Sequence, residues 1–213
     1  MKFYLLNFGP QLLAILFGLI SIRRLTLPYC LILAQISISF FSDIFAIKYS
    51  NYHSSNEIIY NIYLIIETAL LSSAIFYSIT SNTFRKILGI TLVAYLCLVL
   101  FAFNRASILQ LNYPILIFGF VLIAFSNLYY IIHPTTEKSI LSNPFLIISI
   151  AHVIYFLGVT PYFVSRDIII GDDPVMEITL FSYINGSLVI LRYSLCAAAF
   201  MLIFRKNSIL QLS

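Results

Sequence analysis

The stretch Glu57–Ile79, EIIYNIYLIIETALLSSAIFYSI, constrains this chain more than any other. Its 23 residues suffice to cross a bilayer as one helix, at about 1.5 Å of rise per residue. Glu67 falls near its centre, where hydrocarbon would be deepest. A charge at that depth costs about 3 kcal/mol on insertion scales. Glu67 is therefore expected to face the protein interior and to be paired, protonated or wet. Tyr60, Tyr63, Glu67, Leu71 and Ala74 recur at steps of three and four, so they share one helical face.

Composition extends this reading to the whole chain. Of 213 residues, 61% are hydrophobic and 9% are charged, against about 25% charged in an average soluble domain. With a mean hydropathy of +1.00, a polytopic membrane protein is the class that fits. The net charge of +4 is a small basic excess with no stripe suited to nucleic acid. Cys30, Cys97 and Cys196 all lie in apolar segments, without metal-ligand spacing or an even disulfide framework, and read as packing residues. The first apolar run ends in Arg23-Arg24 rather than at a small-residue cleavage site, so it reads as a retained helix. Trp is absent, leaving 15 Tyr to supply the interfacial aromatic belt.

Seven apolar segments follow one another: Phe3–Ile22, Pro28–Ile47, Glu57–Ile79, Ile87–Phe103, Asn112–Ile132, Pro144–Phe163 and Glu177–Phe204. Pro28, Pro114 and Pro144 stand in first turns, where the missing N–H does no harm, and His133-Pro134 ends the fifth segment. Residues 1–213 thus form one all-α domain, a seven-transmembrane helix bundle whose longest connection is Val164–Met176. Arg23, Arg24, Arg85, Lys86, Lys138, Arg205 and Lys206 fall on one side, and Lys2, Lys48, Arg105 and Arg166 on the other. The richer side is expected to be cytoplasmic, with the N-terminus outside and the C-terminus inside. The expected compartment is the cytoplasmic (inner) membrane of a bacterium.

The spans also echo one another. Leu6–Leu19 reads LNFGPQLLAILFGL and Leu111–Phe120 reads LNYPILIFGF. The second and sixth segments open with Pro28-Tyr29 and Pro144-Phe145. The third and seventh end in Ser72-Ser73-Ala74 and Ala197-Ala198-Ala199, an alignment that sets Glu67 opposite Arg192. Segments 1–3 and 5–7 would run in the same direction, with the fourth as inverting linker. That is similar to the parallel three-plus-one-plus-three plan of SWEET-type sugar transporters.

The polar residues gather near mid-membrane. Glu67 is central in the third segment, His152 in the sixth and Arg192 in the seventh, with Ser182, Asn185 and Cys196 on the face of Arg192. The second segment carries Gln35, Ser39 and Asp43 at steps of four, a stripe running toward the outer side. Glu67 and Arg192 are expected to form a buried ion pair, because either charge alone in low dielectric is far worse. The bland reading is that the pair fixes helix register and binds nothing. Asp43 lies within reach of water, as the mouth of a cavity or as a snorkelling end residue.

Other chemistry is poorly served. His53 and His133 would lie on opposite sides of the membrane and cannot join His152, so the three-His set of a catalytic zinc site is missing. No lysine occupies a helix core, which excludes a retinal Schiff base. The acidic stretch Asp167, Asp172, Asp173 and Glu177 reads as a solvated loop, with Ile168-Ile169-Ile170 as a candidate lid. There is no nucleophile elbow, P-loop or dinucleotide fingerprint. No metal, cofactor or catalytic residue is assigned.

Two resemblances bear on the class. Tyr60-Asn61-Ile62-Tyr63 with Ile66-Glu67, and Asn143-Pro144-Phe145 leading to Tyr155-Phe156-Leu157-Gly158 and Pro161-Tyr162-Phe163, resemble small uncharacterised seven-helix integral membrane proteins of Bacteroidota-type bacteria. The likeness runs over nearly the whole chain and includes the acidic residue Asp43. It implies class and compartment rather than mechanism. Pro10-Gln11 in the first segment is similar to PQ-loop transporters, although the fifth segment has Pro114-Ile115 at the matching place.

The expected function is that of a non-enzymatic membrane protein. It would bind, and in one version transport, a small polar or amphipathic molecule or lipid. The cavity would be lined by Gln35, Asp43, Tyr63, Glu67, His152, Asn185 and Arg192. Arg192 would hold an anionic group and Glu67 would be its resting partner. A receptor or accessory subunit working through a membrane-protein partner or homo-oligomer is the second class. An intramembrane lipid hydrolase or transferase is the third, pairing Glu67 or Asp43 with His152 as acid and base.

Overall fold

Short polar caps punctuate the helices. The Asn112 side chain accepts from Ile115 N at 3.2 Å and opens one helix; Asn143 does the same for Leu146 N at 3.2 Å, just before Pro144. Ser81 accepts from Phe84 N at 3.3 Å and opens a third. The computed structural model describes residues 2–50, 52, 56–105, 112–134, 143–169 and 174–209. Within them are seven helices: α1 (Lys2–Ile20), α2 (Leu27–Ser50), α3 (Glu57–Ser78), α4 (Asn82–Arg105), α5 (Tyr113–Ile132), α6 (Pro144–Ile169) and α7 (Pro174–Ile209). A 3₁₀ turn, Ile22–Arg24, joins α1 to α2.

Six of these helices, α2 to α7, are long and apolar enough to cross a membrane, which makes the chain a multi-pass helical bundle. In α1 the apolar stretch among the described residues, Phe8–Ile20, is shorter. Three sequence boundaries are corrected. α4 begins at Asn82 rather than at Ile87, because Ser81 caps it there and Arg85 and Lys86 ride in its opening turns. α6 continues through Arg166 to Ile169, and α7 begins at Pro174. The expected long loop Val164–Met176 therefore shrinks to 170–173, which lies outside the described residues. Ile168 and Ile169 belong to α6 and form no separate lid.

The packing closes a ring in the order α1, α2, α3, α5, α6, α7 and back to α1. α4 stands outside it, against α3 and α5, and presents Ile90, Val93, Leu98 and Leu100 outward. In a bilayer, apolar burial does not itself drive helices together; close backbone approach and polar contacts do. The ring interior follows that rule. Ala14, Ala74, Ala151 and Ala199 are fully buried between helices. At Gly119 of α5 a Cβ would lie 3.0 Å from Thr68 Oγ1 of α3, so glycine sets the approach of these two helices.

Candidate functional site

The centre of the ring is polar. On α3, Tyr63 and Glu67 stand one turn apart, and the Tyr63 hydroxyl donates to Glu67 Oε1 at 2.7 Å. Gln35 of α2 donates through Nε2 to the same oxygen at 2.9 Å and to the Tyr63 oxygen at 2.8 Å. From the far side of the ring, Arg192 Nη2 of α7 donates to Glu67 Oε1 at 2.7 Å. The expected ion pair is thus formed, with Glu67 3% and Arg192 2% exposed. Three donors converge on one carboxylate oxygen. At these distances nothing fits between them, so a ligand must displace a donor to reach Glu67 Oε1.

The guanidinium has a second set of partners. Arg192 Cζ lies 4.7 Å from the ring centre of Tyr155, 4.9 Å from that of Phe156 and 5.2 Å from that of Tyr193. Their electron-rich faces offset part of the cost of removing the cation from water. Arg192 Nε is buried with no hydrogen-bond partner among the described residues.

Two polar branches leave this centre. The Tyr193 hydroxyl donates to Ser39 Oγ at 2.7 Å. Gln11 Nε2, from α1, reaches Ser39 Oγ at 3.4 Å and Asp43 Oδ2 at 3.2 Å. A line of side chains therefore runs from the half-buried Asp43 through Gln11 and Ser39 to the ring that covers Arg192. On the other side, the Tyr155 hydroxyl donates to Asn185 Oδ1 at 3.0 Å and ties α6 to α7.

Of the seven residues expected to line the site, Gln35, Tyr63, Glu67 and Arg192 bond directly to one another. Asp43 joins through Gln11, and Asn185 through Tyr155. His152 is fully buried, but its Nδ1 donates to Ile148 O at 2.7 Å within its own helix, and its ring lies parallel to Phe156. Its Nε2 has no partner, so the carboxylate–histidine contact required by an acid–base enzyme is not made among the described residues.

Gln11, Ser39, Tyr155, Phe156 and Tyr193 were not singled out as site residues from sequence. Ser39 had a signal, being one step from Gln35 and Asp43 in the stripe of α2. Gln11 had its polarity in an apolar helix and its place in the Pro10-Gln11 pair. The aromatic rings had none, since Tyr and Phe are common throughout the chain.

Compared with known proteins, the chain matches no protein-family model, no curated protein and no solved structure. The ring centre holds a buried cation against one carboxylate and three aromatic faces, and Gln35 Oε1 and His152 Nε2 are buried with no hydrogen-bond partner among the described residues. Such a set can exchange one anion for another at Arg192.

Proposed function

We propose that this chain is a polytopic inner-membrane protein of seven spans, N-terminus outside, that binds and moves a small molecule carrying an anionic group. Arg192 is the seat of that group. The observation that carries the reading is the buried Arg192–Glu67 pair at the ring centre, whose guanidinium is engaged by one carboxylate and three aromatic faces. An anion that outcompetes Glu67 inherits the aromatic box, and Glu67 keeps Tyr63 and Gln35 as donors. Since Glu67 and Arg192 reach each other from helices on opposite sides of the ring, exchanging their partners loosens one half of the bundle from the other. That is the differential contact by which a ligand shifts a two-state equilibrium.

The ring order supports a repeat. Exchanging α1–α3 with α5–α7 turns each contact of the ring into another of the ring: α1·α2 into α5·α6, α2·α3 into α6·α7, and α3·α5 into α7·α1. Glu67 and Arg192 then occupy corresponding helices. Two like halves around a central site, with α4 as an outlying connector, suit a rocking motion of one half against the other.

The test is ligand-induced stabilisation of the purified protein, with decanoate and decyl phosphate against decanol as probes. The anions should raise the melting temperature and decanol should not. Glu67→Gln removes the competing carboxylate and should tighten anion binding; Arg192→Gln should abolish it. Equal stabilisation of wild type and Arg192→Gln by the anions would refute the assignment.

A further inference from the structure

A second basic feature lies far from the pair in character. Arg85 and Lys86 border a groove of about 750 Å³ between the end of α3 and the outer face of α4. Its residues are graded by polarity. Asn82, Arg85 and Lys86 stand at its head, in the opening turns of α4. Ile90 and Val93 continue the same stripe and are 70% and 61% exposed. From Asn82 to Val93 the helix rises about 16 Å at about 1.5 Å per residue, roughly half the thickness of a hydrocarbon core.

The opposite wall is Phe76 of α3, over whose ring Arg85 Cζ lies at 5.8 Å. Arg85 Nε is buried without a partner, and no carboxylate lines the groove among the described residues. Gly89 keeps the floor open: a Cβ there would meet only Phe76 Cε2, at 3.9 Å. Because α4 stands outside the ring, a molecule in the bilayer reaches this groove without entering the bundle.

We propose that the groove binds an anionic phospholipid, with its phosphate at Arg85 and Lys86 and one acyl chain lying over Gly89 between Phe76 and Val93. The cations meet the negative headgroup at the level of the membrane surface, and the apolar stripe takes the chain at the depth where chains run. Neither half suffices alone. A free anion would leave the apolar wall unused, and a zwitterionic lipid would bring a cationic group beside Arg85 and Lys86 along with its phosphate.

The experiment uses the full chain in a neutral maltoside detergent, with phosphatidylglycerol and phosphatidylcholine of identical chains as probes. Melting temperature and native mass spectrometry are the readouts. Phosphatidylglycerol should stabilise the wild type and remain bound; phosphatidylcholine should do neither. Arg85→Gln with Lys86→Gln should weaken the response about 30-fold, the usual worth of two such charges at a membrane surface. Gly89→Leu should fill the groove and lose the response with both charges intact, whereas Gly89→Ala should keep it. An equal response to both lipids, an undiminished response in the double charge variant or in Gly89→Leu, or the same shift with inorganic phosphate alone would overturn the proposal. So would a groove covered instead by a second copy, seen as a dimer whose mass excludes lipid.

Discussion

Removing one member of the Glu67–Arg192 pair should hurt more than removing both. Glu67→Gln leaves Arg192 charged, 2% exposed, with only aromatic faces for company. Uncompensating a buried charge in this way costs about 3–5 kcal/mol. Arg192→Gln is milder, about 2–3 kcal/mol, because Glu67 keeps Tyr63 and Gln35 as donors whereas an unpaired Arg192 has no other acceptor among its described contacts. The double variant leaves no buried charge and loses chiefly the aromatic contacts, worth about 2 kcal/mol when desolvated. The sum of the singles then exceeds the double by about 3 kcal/mol or more. For a chain of this length, each kcal/mol moves the melting temperature by about 2–4 °C, so Glu67→Gln should fall by about 6–20 °C. Cys196 supplies the assay: it is buried, while Cys97 is exposed and Cys30 partly so. In a background with Cys30 and Cys97 replaced by alanine, a thiol-reactive dye reports the unfolding of α7. Additivity of the two singles within about 0.5 kcal/mol would refute the coupling.

Further expectations follow from the branches of the network. Tyr193→Phe removes the donor to Ser39 but keeps the ring over Arg192, and should cost about 1 kcal/mol in the same melting assay. Tyr155→Phe should behave alike, whereas Tyr155→Leu also loses the cation–π face and should be about 1–2 kcal/mol worse. Gly119→Ala should cost about 1–3 kcal/mol, since the new methyl would press on Thr68 Oγ1 at 3.0 Å and Tyr95 Oη at 3.2 Å. For the membrane orientation, an impermeant maleimide applied to intact cells should label a cysteine at the exposed Tyr52 and spare one at Thr83; the reverse pattern would invert the bundle.

What was legible in the sequence was whatever the bilayer penalises. Glu67 and Arg192 stood out because hydrocarbon forces charges to find each other, and they do. Pro114 and Pro144 marked two helix starts as read, and the Asn112 and Asn143 side chains cap them. Arg85 and Lys86 misled, because long cationic side chains are tolerated in the first turns of a spanning helix and need not mark a loop. The same holds for Arg166 and Asp167, which α6 carries beyond its apolar stretch. Hydropathy reports where the membrane ends, not where the helix does. Tyr155, Phe156 and Tyr193 were hidden by abundance: in a chain with 15 Tyr and 19 Phe, three rings around a cation leave no compositional trace. Nor does Tyr193, next in sequence to Arg192, share its face on a helical wheel. His152 drew attention for its rarity, yet its Nδ1 is satisfied by its own helix backbone.

The two charges at the heart of the bundle are 125 residues apart along the chain. Glu67 is therefore synthesised long before its counterion, and its carboxylate has no ion-pair partner at the ring centre until α7 follows. A polypeptide truncated ahead of α7 keeps Tyr63 and Gln35 on Glu67 but lacks the cation, and is expected to be less stable than the whole bundle.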